Sequence, residues 1–336
     1  MKEDLSTDSS SISGQKSKIS AIMALYNTPH ELLNATVKSI LAQTFTDFEL
    51  IIIDDASTIE YKDFFEKFSD NRIKYFKLEK NAGPGHARNE GIRRAEGQYI
   101  AIVDSDDVYL PQRFGVQSDF LDKNSDISLI SSAFKQSNNG KIPEVIENHQ
   151  DIKIFMLFNS AFANPAVMFR KKVFIEKNLF YPENINFGED YGLWLDAMFA
   201  EVKMANLKDV LMVYTRRKGQ LSKEKSDIQN SILKDFYKKI LSNMGLNPLQ
   251  EDLQLHYNID IQKFDSITSE QIQNWFDEII QANKNSKIFD EQKLIDKKDQ
   301  TLNKFENFKK RILKIKIGQH NFCINKPLKI YIEKRD

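Results

Sequence analysis

With 336 residues, 41% of them hydrophobic and 29% charged, and a formal net charge of zero, the chain has the make-up of a globular protein large enough for one full domain plus an appendage. The zero balance gives no support to nucleic-acid binding, and the single cysteine, Cys323, excludes an internal disulfide and a cysteine-based zinc site. No apolar run approaches the roughly 20 residues that span a bilayer and the N-terminus is polar, so neither a transmembrane helix nor a secretory signal is expected and the chain reads as cytoplasmic.

Residues 1 to 17 are rich in Ser, Lys and Asp without periodicity and are expected to be disordered. KISAIMALY (18 to 26), FELIIID (48 to 54), RIKYFKL (72 to 78), QYIAIVD (98 to 104) and ISLISS (127 to 132) then read as strands. Amphipathic stretches around 30 to 43, 58 to 68, 85 to 95 and 111 to 123 read as the helices between them. Strands that alternate with helices and are apolar along their whole length indicate a mostly parallel α/β sheet covered on both faces. Past residue 140 the pattern loosens: a helix near 150 to 158, a strand NPAVMFR, a helix opened by GEDYGLWLDAMFAE and a strand VLMVYTR complete the same domain, which is taken to span 18 to 224. From 225 to 336 helical patterns dominate and suggest a helical, basic extension.

The densest chemistry lies in QYIAIVDSDDVYLP, where a buried strand runs into Asp104, Asp106 and Asp107. Like charges a few ångströms apart raise one another's pKa, so such a cluster persists where a cation or a positively polarised ligand neutralises it. A helix cap before Pro111 needs one carboxylate, which accounts for Asp107 but not for Asp104 and Asp106. In sheets of this kind ligands bind beyond the carboxyl ends of the strands, where Asp54 with Asp55 and Asp104 with Asp106 both fall, so these sequence-distant pairs are expected to face one crevice. NAGPGHARNEG places Gly83, Pro84 and Gly85 ahead of a helix, an arrangement that presents free backbone N–H groups to an anion, with Arg88 in the first turn. Read alone, it is equally a helix start with a solvated arginine.

Taken together, ISAIMALYN, SILAQTFTDFELIIIDDAS, NAGPGHARNEGIRRAEGQYIAIVDSDD and GEDYGLWLDAM resemble, in order and spacing, the inverting family 2 glycosyltransferases with the GT-A fold, over roughly residues 18 to 222. The resemblance implies a UDP-sugar donor whose uracil and ribose lie against Tyr26, Asp54 and Asp55, with Arg88 reaching the nucleotide and Asp104 and Ser105 beside it. It implies a Mn²⁺ or Mg²⁺ ion on Asp106 and Asp104, with Asp107 the unsettled third carboxylate. It further implies Asp190, neighboured by Glu189, as the base that deprotonates an acceptor hydroxyl, and a helix start is expected to keep Asp190 ionised. The acceptor would be a glycan or glycolipid of the lipooligosaccharide or capsule kind. Two departures stand out. The family's DDGS reads DDAS here, with Ala56 in place of glycine, and the basic residues after VYTR include no His before QLS, which puts a phosphate role for Arg216 or Arg217 in doubt.

Two other readings stay open on the sequence: a sugar-phosphate nucleotidyltransferase, disfavoured because ALYNTPH rather than a Gly-rich basic loop follows the first strand, and a non-catalytic nucleotide-sugar-binding module. Residues 301 to 336 hold ten Lys/Arg against three Asp/Glu, a local balance of +7. Within them Phe305, Phe308, Ile312 and Ile315 recur at helical spacing among basic residues. That stripe reads as packing on its own domain, with peripheral membrane contact the alternative.

Overall fold

The computed structural model describes residues 17–185, 187–216 and 226–323. The expectations for residues 1 to 16, for Arg217 and for the chain from 324 on lie outside the described residues, as do the side chains of Ile315 and Cys323. The described chain falls into two compact units, one within Met1–His149 and Ser160–Glu224, the other within Gln150–Asn159 and Lys225–Asp336.

In the first unit, β1 (Ile19–Leu25), β2 (Phe48–Asp54), β3 (Ile73–Lys77) and β4 (Tyr99–Asp104) pair in parallel. They are joined in one sheet by β5 (Val108–Tyr109), β6 (Leu129–Gln136), β7 (Met168–Arg170) and β8 (Met204–Tyr214), in the order β3-β2-β1-β4-β7-β6-β8-β5. Every residue of β2 is buried, as a strand covered on both faces requires. The short β7 runs antiparallel to both β4 and β6, so the sheet is mixed. Its apolar sequence announces a strand but carries no information about direction.

Helices α1 (His30–Leu41), α2 (Lys62–Glu66), α3 (Pro84–Arg94) and α4 (Arg113–Lys123) follow the strands as expected. In α1, Leu33, Val37 and Ile40 are fully buried against β1 and β2 residues. Each such side chain removed from water contributes roughly 1.5–3 kcal/mol. Helix α2 is shorter than the 58 to 68 stretch suggested, because the Asn27 side-chain oxygen accepts from the N–H of Thr58 at 2.9 Å and holds that segment as a loop. Helices α5 (His149–Met156), α6 (Lys171–Glu176) and α7 (Glu189–Phe199) come next, and Leu193, Trp194 and Met198 of α7 are core.

Because the chain goes from β1 outward to β2 and β3 and then returns to β4 on the other side of β1, the strand order reverses at β1/β4. The register pairs Leu25 with Asp54 and Ala24 with Asp104, so the carboxyl ends of three strands open at one level beside that switch point.

The second unit is helical: α8 (Ser226–Asn243), α9 (Gln250–Asp260), α10 (Ser269–Ser286) and α11 (Glu291–Cys323). Thr268 starts α10 with a capping box, accepting from the N–H of Gln271 while Gln271 accepts from its own. The core is aromatic around the fully buried His256, which stacks on Phe158 at 4.5 Å and leans on Tyr237 and Trp275. Segment 150–159, placed with the N-terminal half by sequence, therefore groups with the helical unit, because Leu157 offers its carbonyl to His256 Nε2 (2.9 Å) and Phe158 its ring. In α11, Phe305 is buried and it and Phe308 pack edge-on against Phe264, whereas Ile312 and Leu313 remain exposed.

Candidate functional site

Five elements supply the site: the ends of β1, β2 and β4, and the N-termini of α3 and α7. Tyr26 follows β1 with 53% of its surface exposed, so its ring face is free for stacking at the mouth of the crevice. Asp54 closes β2 wholly buried, with one oxygen accepting from the N–H of Ser57 (2.8 Å) and the other from the Tyr75 hydroxyl (2.6 Å). Burial, and then the bond to Asp54, push the Tyr75 phenol far above its usual range.

Asp55 turns to the glycine-rich loop and accepts from the N–H groups of Ala82 and Gly83, both at 2.8 Å. Those amides were expected to be open to an anion; the protein's own carboxylate occupies them. Between these two aspartates and Ser57, Ala56 adopts φ +56°, the left-handed region that costs an L-residue roughly 1–2 kcal/mol. Alanine here takes a backbone conformation that glycine adopts more readily.

At the end of β4, Asp104 is half-buried and Ser105 buried, the Ser105 hydroxyl meeting that of Thr28 at 2.6 Å. Asp106 is half-buried. Asp107 faces inward, accepts from the N–H of Thr215 at 2.7 Å, and is raised to about 8 by burial and by the charge on Asp104. Its Oδ1 anchors the residue after β8 to the strand-end loop, while its buried Oδ2 has no hydrogen-bond partner among the described residues. No group of three or more His, Cys, Asp and Glu side chains converges among the described residues. The outward donors, Asp104 and Asp106, are two hard oxygen groups. That set fits a Mg²⁺ or Mn²⁺ ion whose remaining ligands are phosphate and water.

Arg88, expected to reach the nucleotide, is buried with both ends spent on protein carboxylates. Its Nη1 donates to Glu189 at 2.6 Å and its Nη2 to Asp104 at 3.1 Å. Burial disfavours its charge, but Asp104 and Glu189 more than offset this and the guanidinium stays protonated. The Tyr181 ring lies under it at 5.4 Å. With the Asn164 amide oriented to donate to the Tyr181 hydroxyl, the Asn164 oxygen accepts from Arg88 at 3.3 Å.

Helix α7 begins after Gly188 at φ +73°, a turn that favours glycine and aims Glu189 and Asp190 at the strand ends. Asp190 is half-buried and accepts from the N–H of Tyr191 at 2.7 Å. Burial, then the neighbouring Glu189 charge, push it up to about 7. The helix start alone was expected to keep it ionised; desolvation and a like charge outweigh that contribution.

The segment leading into α7 is clamped by α3. Asn89 donates to the Tyr181 carbonyl (2.8 Å) and accepts from its N–H (2.9 Å), and Glu183 bonds Asn89 and His86 at 2.8 Å each. A Cβ on Gly85 would sit 2.8 Å from the Pro182 carbonyl oxygen, which is why glycine stands there. Asn89, Asn164 and Tyr181 were invisible to sequence reading, because nothing in their local pattern distinguishes them from ordinary helix and loop residues.

An α/β sheet that gathers a tyrosine and acidic strand ends at its switch point, opposite an acidic helix start, defines the GT-A class of sugar-transferring enzyme. The chain belongs to glycosyltransferase family 2: residues 20–180 match the model described as Glycosyl transferase family 2. It is also 31% identical over 208 residues to an uncharacterised glycosyltransferase of Methanocaldococcus jannaschii, covering 59% of this chain and 71% of that protein. It is 29% identical over 235 residues to the Escherichia coli UDP-Glc:alpha-D-GlcNAc-diphosphoundecaprenol beta-1,3-glucosyltransferase WfgD, covering 69% of this chain and 88% of that one. The crystal structure of Staphylococcus aureus TarS 1-349 in complex with UDP-GlcNAc superposes with a TM-score of 0.58 at 20% identity, over 87% of this chain and 92% of that one, and shares its fold. Among matched relatives from Rickettsia, the chain spans about 30% of their length. Family membership displaces the nucleotidyltransferase alternative: the protein is a glycosyltransferase. No described helix is long and apolar enough to cross a membrane.

Proposed function

We propose that this enzyme transfers one sugar from a UDP-sugar to a hydroxyl of a glycan or glycolipid acceptor, with inversion. The observation that carries the reading is the Arg88 bridge, which ties Asp104 at the end of β4 to the helix that bears Asp190. Tyr26 offers the stacking face for uracil, while Asp54 and Asp55 hold the loops that border the nucleotide. Asp104 and Asp106 would hold a Mn²⁺ or Mg²⁺ ion, with Ser105 beside them. When bound, that ion neutralises charge accumulating on the departing diphosphate.

Inversion needs one displacement at the anomeric carbon. The acceptor oxygen forms its bond to that carbon as the bond to the diphosphate breaks, and the hydroxyl proton passes to an Asp190 carboxylate oxygen. A base titrating near 7 is well matched to this task, since general-base catalysis works best with a pKa near the working pH. The donor named for the TarS complex and the donor and acceptor named for WfgD support the UDP and lipid-linked-glycan choices. Exposed Ile312 and Leu313 beside Lys309, Lys310 and Arg311 support peripheral contact with an anionic membrane surface, where such an acceptor would be met.

The test is UDP release from a panel of UDP-sugars, with Mn²⁺ or Mg²⁺ added, by wild type and Asp190→Asn. Turnover confined to wild type supports the assignment; equal turnover removes Asp190 from the role of base.

A further inference from the structure

The helical unit contains a cleft of about 250 Å³ that the transfer chemistry does not use. Its walls include Phe155, Phe158 and Phe264 on one side, Asp260 at the end of α9, and Lys297 and Lys304 two turns apart on α11. Lys297 is half-buried with its ammonium 5.0 Å from the centre of the Phe158 ring. No carboxylate of the described residues lies within ion-pair distance of either lysine. Two cations directed into one cleft repel each other; burial first, and then the charge of Lys304, lower the Lys297 pKa, and the charge of Asp260 only partly opposes them. Asp260 accepts from the Tyr237 hydroxyl at 2.7 Å through one oxygen, which leaves the other able to accept from a ligand hydroxyl.

Three ligand chemistries are therefore offered together: aromatic faces for the C–H face of a ring, a carboxylate for hydroxyls, and a lysine pair for an anion. The volume lies below the roughly 300–1,000 Å³ of drug-sized pockets, which leaves room for one ring and its anion.

We propose that this cleft binds a phosphorylated sugar or polyol, as a second site that holds the acceptor by its charged portion. The proposal rests on the transfer reading only for why such a ligand is held; occupancy itself is measured without turnover. A free phosphate would satisfy the lysines, but not the aromatic wall and Asp260.

The experiment is calorimetric titration of the full chain, with UDP present at saturation so that the nucleotide crevice is filled. Glucose 1-phosphate, inorganic phosphate and glucose are the three probes. Glucose 1-phosphate is expected to bind at least tenfold more tightly than either of the others. Lys304→Met, at an exposed position that folding does not depend on, is expected to weaken it at least fivefold, and Lys297→Met at least tenfold, with UDP affinity unchanged in both. Equal affinity for inorganic phosphate, equal affinity for glucose, or affinity unaltered in Lys304→Met would each overturn the proposal. Failure of UDP binding or of UDP release would instead count against the transfer reading.

Discussion

Arg88 and Glu189, 101 positions apart, meet at 2.6 Å in the buried heart of the crevice, and the other guanidinium nitrogen of Arg88 reaches Asp104. The pair holds the acidic helix start and the acidic strand end in a fixed relation. Removing one partner of a buried ion pair leaves a bare charge and costs about 3–5 kcal/mol. Arg88→Ala is expected to lose that much stability in urea titrations. Arg88→Lys, which keeps the charge but cannot fork between two carboxylates, should remain folded by circular dichroism while kcat falls about tenfold or more. Unchanged kcat in the lysine variant would deny the bridge a part in placing Asp190.

As the proposed base, Asp190 must be unprotonated to accept a proton, and burial with Glu189 raises it to about 7. Below that pH the acid form dominates and kcat/KM should fall about tenfold per unit; above it the rate should level off. Asp190→Asn should lower activity about 10²–10⁴-fold and abolish this limb. A pH profile whose rising limb persists in the asparagine variant would assign the titration elsewhere.

Ala56 occupies a left-handed conformation at φ +56°. Ala56→Gly, which restores the family's DDGS, is expected to stabilise the protein by about 1 kcal/mol and raise Tm by a few degrees, without altering UDP affinity. Calorimetry of the two proteins decides it, and a lower Tm in the glycine variant would refute the strain.

In the helical unit the indole N–H of Trp275 donates to Nδ1 of His256 at 3.1 Å, so that nitrogen must carry no proton, and Nε2 gives its own to the Leu157 carbonyl. Burial lowers this imidazole from 6.5 to about 4. Between those pH values the unfolded chain binds a proton that the folded one refuses, so stability is full above about 6.5 and declines as the pH drops towards 4, by up to about 3 kcal/mol. Denaturant titrations across that window should show the decline in wild type and a flatter profile in His256→Gln. Parallel profiles would place the acid sensitivity in other groups.

For the exposed basic end of α11, reversing Lys309, Lys310 and Arg311 to Glu should abolish cosedimentation with phosphatidylglycerol vesicles, each lysine or arginine near such a surface contributing about 1 kcal/mol. Wild type that fails to sediment with those vesicles, or sediments equally with phosphatidylcholine, would remove the membrane contact.

Much of this was legible in the residues. Strands such as FELIIID and QYIAIVD announce themselves by their central apolar runs, which burial on both faces requires, and the carboxylates at their ends locate the crevice. The same letters conceal direction. They do not show that Asp54 bonds Ser57 and Tyr75, Asp55 the amides of Ala82 and Gly83, and Asp107 that of Thr215. Nor does the periodicity of 150–159 say which unit it joins, since an apolar helix face does not name the surface it covers. Asn89 and Tyr181 meet across 92 positions, and pairings at such a separation leave no local trace.

The engagement of Asp55 with Ala82 and Gly83 separates this crevice from the phosphate cradles of other α/β folds. There, bare amides at a helix start greet the incoming anion; here that seat is already taken by a side chain of the host. If a diphosphate docks at this rim, as proposed, the amides of Ala82 and Gly83 are not available to it, and its charge would have to be met by other groups.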